Sequence, residues 1–441
     1  LRYFWNVGKP FIHDGAAYVS LHKVGGFGEG FFTSSEGVLL RSQTLLTVVD
    51  PKDAQWQTLP EGDRGLHTPV DGGGTVAEEQ SYSVLSDGSF YAVYRTIDGY
   101  PTCSYSRDQG RTWSAPQYKR FADGRLMKHP RAANFAWRCN NGRYLYWFHN
   151  HGGRFVSRTN GYEDRNPVWL CAGEEADGPD GRVIAWSQPE IVLYDNDPYI
   201  RMSYPDLVEE SGALYLTETQ KDKARVHEID GLFLQKVWGQ LQAKEVCTEG
   251  LVAQWQGTEG GLMEVPDLPR FVQRDGSRHD YGTTSLCTGI SVELDLRMSS
   301  IAAGQVLLDN RDARRKGLCL QTTAWGTIEI TLNDGRTENR WDCDAGLLTA
   351  GRQHHVGVVI DGGPRVISFI VDGALCDGGA QRQFGWGRFS PNLRDANGVG
   401  SWRIGAGVQL VRVYDRALMT SEVIGNCRAC RTAGSAPDGD S

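Results

Sequence analysis

The sequence predicts an all-β chain in two parts, with propeller blades over residues 1–230 and a β-sandwich over residues 246–430. Three observations carry this expectation. Short runs of alternating apolar and polar residues are punctuated by Gly, Asp and Asn turns, the pattern of short antiparallel strands. Gly (54), Trp (13) and Tyr (17) are abundant while Met numbers only 5, and long amphipathic stretches are scarce, which excludes a helical bundle. A unit of roughly 50 to 60 residues recurs in the first half and stops near residue 246, as blades do.

That unit holds an apolar strand, a tight turn, an aromatic-rich strand and a closing Trp-Ser-x-Pro. The turns are His13-Asp14-Gly15, Ser86-Asp87-Gly88, Asn141-Gly142 and Ser211-Gly212. The closures are Trp113-Ser114-Ala115-Pro116 and Trp186-Ser187-Gln188-Pro189. About four blades fit before residue 230. Residues 231–245 read as a short helix or strap. Period-2 strands then resume, among them Ile290–Leu296, Thr327–Leu332 with its Asn333-Asp334-Gly335 turn, and Val366–Val371. The tail 431–441 is rich in Gly, Ser and Asp and is expected to be disordered.

Composition narrows the function. A net charge of -8 argues against nucleic acid, which needs basic surface to displace counterions. No apolar run is long enough to span a bilayer as a helix. The ten Cys form no compact disulfide framework. Cys427 and Cys430 make a lone CxxC, a poor zinc site without a second pair. The chain opens on Leu1, and Phe4-Trp5-Asn6-Val7 reads like a domain interior, so the true beginning is expected to lie outside this sequence.

The most specific string is Ser106-Arg107-Asp108-Gln109-Gly110-Arg111-Thr112-Trp113. It resembles the Asp-box of sialidases, Ser-x-Asp-x-Gly-x-Thr-Trp. Ser106 and Asp108 would bond the turn backbone, Gly110 would supply a permissive φ, Thr112 completes the pattern and Trp113 would pack beneath. This is a structural motif, and Asp108 is expected at the rim.

Two further segments resemble sialidase sequence. In Glu79…Asp87-Gly88…Arg95, eight residues separate each end from the turn, so an antiparallel pair returns Glu79 and Arg95 to one end of a blade. Met202-Ser203-Tyr204-Pro205-Asp206, followed by Glu218, looks like the segment of the nucleophilic tyrosine. The resemblance implies Tyr204 as nucleophile, Glu79 as its base, and Glu218 as a supporting carboxylate. It also implies Arg95 and Arg154 as the second and third carboxylate-binding arginines, with Arg158 competing for the latter role. The family's first arginine and acid/base Asp belong to a first blade that this sequence does not contain. Pro205 replaces a small residue, and Glu174-Glu175-Ala176-Asp177 is unusually acidic.

Plainer roles stand beside these. Tyr204 could be a packed inner-strand tyrosine, and Glu79–Arg95 a structural ion pair. His149 and His151 suggest a polar pocket wall, and on a strand they would share a face, though no metal is assigned. His227 would reach the central funnel as a further pocket residue or pack on the strap, and Lys128-His129-Pro130-Arg131 would supply a further basic group or form a solvated loop.

The 246–430 block resembles concanavalin-A-like, laminin-G-like jelly-roll sandwiches through Trp402-Arg403-Ile404-Gly405 and Val411–Leu418. Thr420 or Ser421 would cap a following turn. Exposed Trp325, Trp341 or Trp386 would meet carbohydrate, unless the domain is purely structural. Asp309 and Asp312 offer only a weak calcium pair, so no cofactor is expected.

The resemblance as a whole implies an exo-acting, retaining hydrolase releasing a terminal acidic sugar from glycans, in a secreted, periplasmic or cell-surface setting. The alternatives are a neutral exo-glycosidase, a uronate lyase centred on the histidines, or a non-catalytic glycan-binding protein. The sequence leaves the oligomeric state open.

Overall fold

A computed structural model describes residues 2–24, 33–152, 165–220, 223–277 and 282–434. The chain divides into two compact units, Leu1–Trp238 and Gly239–Ser441.

The first unit is a β-propeller. Among the described residues, four antiparallel sheets of five, four, five and three strands succeed one another along the chain. The expected turns form where the residues permit a left-handed backbone: Asp14 and Gly15 have φ of 46° and 71°, and Ser211 and Gly212 have 52° and 85°. The second sheet shows the logic. Glu78–Val84 pairs with Phe90–Arg95 from Val84↔Phe90 to Glu78↔Arg95, and Phe90–Arg95 then pairs with Thr102–Ser106. All six residues of Phe90–Arg95 are buried, and the strand is apolar and aromatic up to Arg95, whose charge is met by Glu78 and Glu79. Tyr144–Phe148 has the same character in the third sheet. Lys119 is buried against these rings, donating from Nζ to Tyr91 Oη (2.9 Å) and lying 3.4 Å from the Trp186 ring centroid.

The 106–113 turn forms as its residues dictate. Asp108 accepts from Ser106 Oγ (2.9 Å), Thr112 N–H (2.8 Å) and Thr112 Oγ1 (2.7 Å). Gly110 has φ 93°, and Trp113 Nε1 donates to its carbonyl at 3.1 Å. Ser106 pairs with Phe90, so Asp108 lies beyond the end of the blade opposite Arg95. The helix Gly231–Gly239 closes the unit. Asp230 accepts the Phe233 N–H (2.8 Å), and Leu234 and Val237 are buried, Leu234 packing with Leu207, Leu214, Leu216 and Ile229.

The second unit is a β-sandwich with sheets of seven and six strands. Ile290, Val292, Leu294 and Leu296 alternate into the core with Val356, Val358 and Ile360, facing Leu318, Leu320 and Ile330. The intervening Ser291, Glu293 and Asp295 therefore point to the sheet's other face. The helix Thr420–Gly434 covers it, with Asn426 Nδ2 donating to both Glu293 oxygens at 2.9 Å.

Several expectations need correction. Lys128-His129-Pro130 is buried, because this loop fills space behind the strand ends, and Arg131 pairs with Glu78. The C-terminal helix runs past residue 431, where disorder was expected to begin, and Arg431 is tied to Asp372 at 2.7 Å. Its start is held by Glu422, which accepts the Met419 N–H (2.8 Å), the reach-back half of a capping box. Trp386 is buried and Trp341 half-buried, while Trp325 is 79% exposed. Asp309 is engaged by Arg311 and Arg403, and Asp312 by the Arg314 and Lys316 N–H groups. All ten cysteines are free thiols. No described helix is long and apolar enough to cross a membrane.

Candidate active site

Two strands begin with the same local device. Glu78–Val84 carries a bulge between Glu78 and Ser81, and Ser203–Glu210 carries one between Ser203 and Asp206. At each bulge a non-glycine residue adopts a left-handed backbone, Glu79 at φ 57° and Tyr204 at φ 49°. A bulge turns an extra side chain out of the alternating pattern, and here it re-aims a carboxylate and a phenol. His22 fixes the first bulge by accepting the Glu79 N–H at its Nε2 (2.6 Å).

Arg95 sits beside Glu79 because the register returns it to the same strand end. Its Nε and Nη2 donate to Glu78 Oε2 (2.9 and 2.7 Å), and its Nη1 lies 2.9 Å from Glu79 Oε2. Glu78 is fully buried and also receives Arg131 Nη2 at 3.0 and 3.1 Å. It therefore anchors two guanidinium groups, and Glu79 is the more available of the two carboxylates.

Arg154 and Arg158 lie outside the described residues. Arg165 instead closes the cluster. It is buried, with Nη1 donating to Ser203 Oγ (2.7 Å) and Nη2 to the Arg131 carbonyl (3.2 Å), and it hydrogen-bonds the Tyr204 side chain. Sequence reasoning missed it. The available signal was its place before Asn166-Pro167, at the entry to the strand Val168–Gly178.

The electrostatics bind these groups together. Burial raises the Glu79 carboxyl above its ordinary range, while Arg95 and Arg165 pull it down. Burial also raises the Tyr204 phenol, helped by the Glu79 charge and opposed by Arg95 and Arg165. Tyr204 remains 38% exposed, at one end of a cavity of about 640 Å³ that follows the first strands of the second, third and fourth sheets. Glu79, Arg95 and Arg165 do not line that cavity.

Glu218 lies opposite the Tyr204 bulge, since Ser203↔Thr219 and Asp206↔Thr217 bracket it. It is fully buried and pairs with Arg225, which also holds Asp195 at 2.8 Å. His227 Nε2 lies 3.4 Å from Glu218 Oε1, so it faces this carboxylate and not the helix. His149 and His151 are buried in a loop, because the strand ends at Phe148 and Asn150 turns at φ 45°. The shared-face premise for a metal therefore fails. His149 stacks on His129 (5.7 Å between centroids), and burial drives its imidazole well below the ordinary range.

No family model matches the chain, and no curated protein sequence matches it. Solved structures do. A Trypanosoma rangeli sialidase in complex with 2,3-difluorosialic acid, a covalent intermediate, is 12% identical with a TM-score of 0.33, over 96% of this chain and 70% of that one. A leech intramolecular trans-sialidase complexed with 2,7-anhydro-Neu5Ac is 17% identical with a TM-score of 0.32, over 49% of this chain and 28% of that one. The intramolecular trans-sialidase from Ruminococcus gnavus, in complex with oseltamivir carboxylate, is 15% identical with a TM-score of 0.33, over 52% and 43%.

Proposed function

We propose that this protein is an exo-acting, retaining glycoside hydrolase of the sialidase class, acting on terminal acidic sugars of glycans. The observation that supports it most directly is the meeting of Tyr204 with Glu79, Arg95 and Arg165. A phenol next to a carboxylate with raised proton affinity is a nucleophile and its base. Glu79 takes the phenolic proton as Tyr204 Oη bonds to the anomeric carbon and the aglycone departs. The aglycone oxygen takes its proton from solvent, and in the second step water attacks the anomeric carbon and loses a proton to solvent while the departing Tyr204 oxygen regains its own from Glu79. A neutral phenol meets an anionic sugar without the repulsion a carboxylate nucleophile would suffer. The positive charge that Arg95 and Arg165 keep beside Tyr204 suits an anionic sugar. Glu218 holds Arg225 next to the nucleophile's bulge.

The test is turnover of an aryl sialoside, whose stabilised leaving group makes little demand on a general acid. Tyr204→Phe should lower kcat roughly 10³-fold or more, with the fold intact by circular dichroism. Unchanged turnover removes Tyr204 from the mechanism. Sialic acid binding without turnover by the unaltered chain favours a glycan-binding protein.

A further inference from the structure

The outer face of the seven-stranded sheet carries a second cluster, within the second unit and apart from Tyr204. Three adjacent strands set it. Asp295 pairs directly with His355 on one side, and Glu293 with Arg412 on the other. Cys430 descends from the helix Thr420–Gly434, whose residue Asn426 is already fastened to Glu293. One ligand atom each from Asp295, His355 and Cys430 lies within 4.8 Å of the others.

The donors are oriented for a cation. His355 is buried, and its Nδ1 is 2.7 Å from Asp295 Oδ1. Its Nε2 is buried without a hydrogen-bond partner, with Glu293 Oε1 at an ion-pair distance of 3.5 Å. Nδ1 is therefore the nitrogen that shares a ligand position with Asp295, and Glu293 stands behind the ring at Nε2, the usual carboxylate arrangement behind metal-bound histidine. Arg412 places Nη1 and Nη2 3.6 Å from Cys430 Sγ. The site is also reachable. A cavity of about 670 Å³ is lined by Asp295, Arg412 and Cys430 together with Gln254, Gln353 and Gln409.

We propose that Asp295, His355 and Cys430 form a binding site for a Zn²⁺-type divalent cation, with its remaining coordination positions facing this cavity. Thiolate, imidazole and carboxylate together select a borderline or soft ion over calcium or magnesium. The CxxC spacing is thus split between two environments. Cys430 faces the cluster, whereas Cys427 Sγ packs beside Gly373.

The experiment uses the full chain, stripped with chelator and titrated with Zn²⁺ alone. One Zn²⁺ per chain should bind, and Cys430→Ser and His355→Gln should each weaken it at least tenfold. Co²⁺ should give a thiolate-to-cobalt charge-transfer band that Cys430→Ser abolishes. Should either variant fail to fold, the unaltered chain still decides. Zn²⁺ should slow alkylation of Cys430, read by peptide mass spectrometry, at least tenfold. Absence of Zn²⁺ binding, equal alkylation with and without Zn²⁺, or an unchanged band in Cys430→Ser overturns the site.

Discussion

Arg165 gives the sharpest test of the candidate active site, because two substitutions separate its shape from its charge. Arg165→Lys keeps the charge but has a single nitrogen where the guanidinium reaches Ser203, the Arg131 carbonyl and Tyr204 at once. A hydrogen bond involving a charged group contributes about 1.5–3 kcal/mol. Losing one such bond from the transition state should cut kcat/KM for an aryl sialoside about 10- to 150-fold. The acid limb of its pH profile should stay in place. Arg165→Gln removes the charge that holds the Glu79 carboxyl down against burial. Glu79 must be ionised to act as base, so a higher proton affinity moves the acid limb to higher pH. Initial rates across the pH range, with urea midpoints as a fold control, measure both. Full activity in Arg165→Lys, or an acid limb in Arg165→Gln that stays put or moves to lower pH, would refute the reasoning.

Two further outcomes concern the scaffold. Asp108→Ala deletes three hydrogen bonds in a partly exposed turn and should cost about 2–3 kcal/mol in urea unfolding. Its turnover per folded molecule should not change, since the blade's length, about 17 Å, separates it from Arg95. Burial of Asp108 raises its carboxyl, but the Thr112 hydrogen bonds outweigh this and its proton affinity is lowered overall. Its stabilisation is therefore present above the ordinary Asp value of 3.8 and fades as pH falls through the lower folded value. Burial also drives the Lys119 ammonium well below its ordinary 10.5. The unfolded chain then binds a proton the folded one gives up, so stability should climb with pH up to about 10.5. Lys119→Met should flatten that climb; parallel pH profiles for the two proteins would contradict it.

Much of the scaffold was readable because its signals are local. Asp14-Gly15 and Ser211-Gly212 write a positive φ into the sequence, and Ser106–Trp113 closes its own hydrogen bonds within eight residues. Glu79 and Arg95 were readable together because equal strands on either side of Asp87-Gly88 fix where they meet. Arg165 was not, since its partners Ser203 and Tyr204 lie on the next sheet, and nothing in its own neighbourhood records them. Lys128-His129-Pro130-Arg131 misled for the same reason. Its composition is that of a surface loop, yet Lys128, His129 and Pro130 are buried and Arg131 pairs with Glu78, some fifty residues earlier. His149 and His151 misled by one residue of strand length, because their common face vanishes once the strand ends at Phe148.

The left-handed backbones of Glu79 and Tyr204 set a conflict between durability and work. Such a conformation costs an ordinary L-residue roughly 1–2 kcal/mol and glycine almost nothing. Any procedure that ranks substitutions by backbone comfort would favour glycine at both places. A variant built on that advice would lack the phenol and the carboxylate on which the proposed chemistry turns.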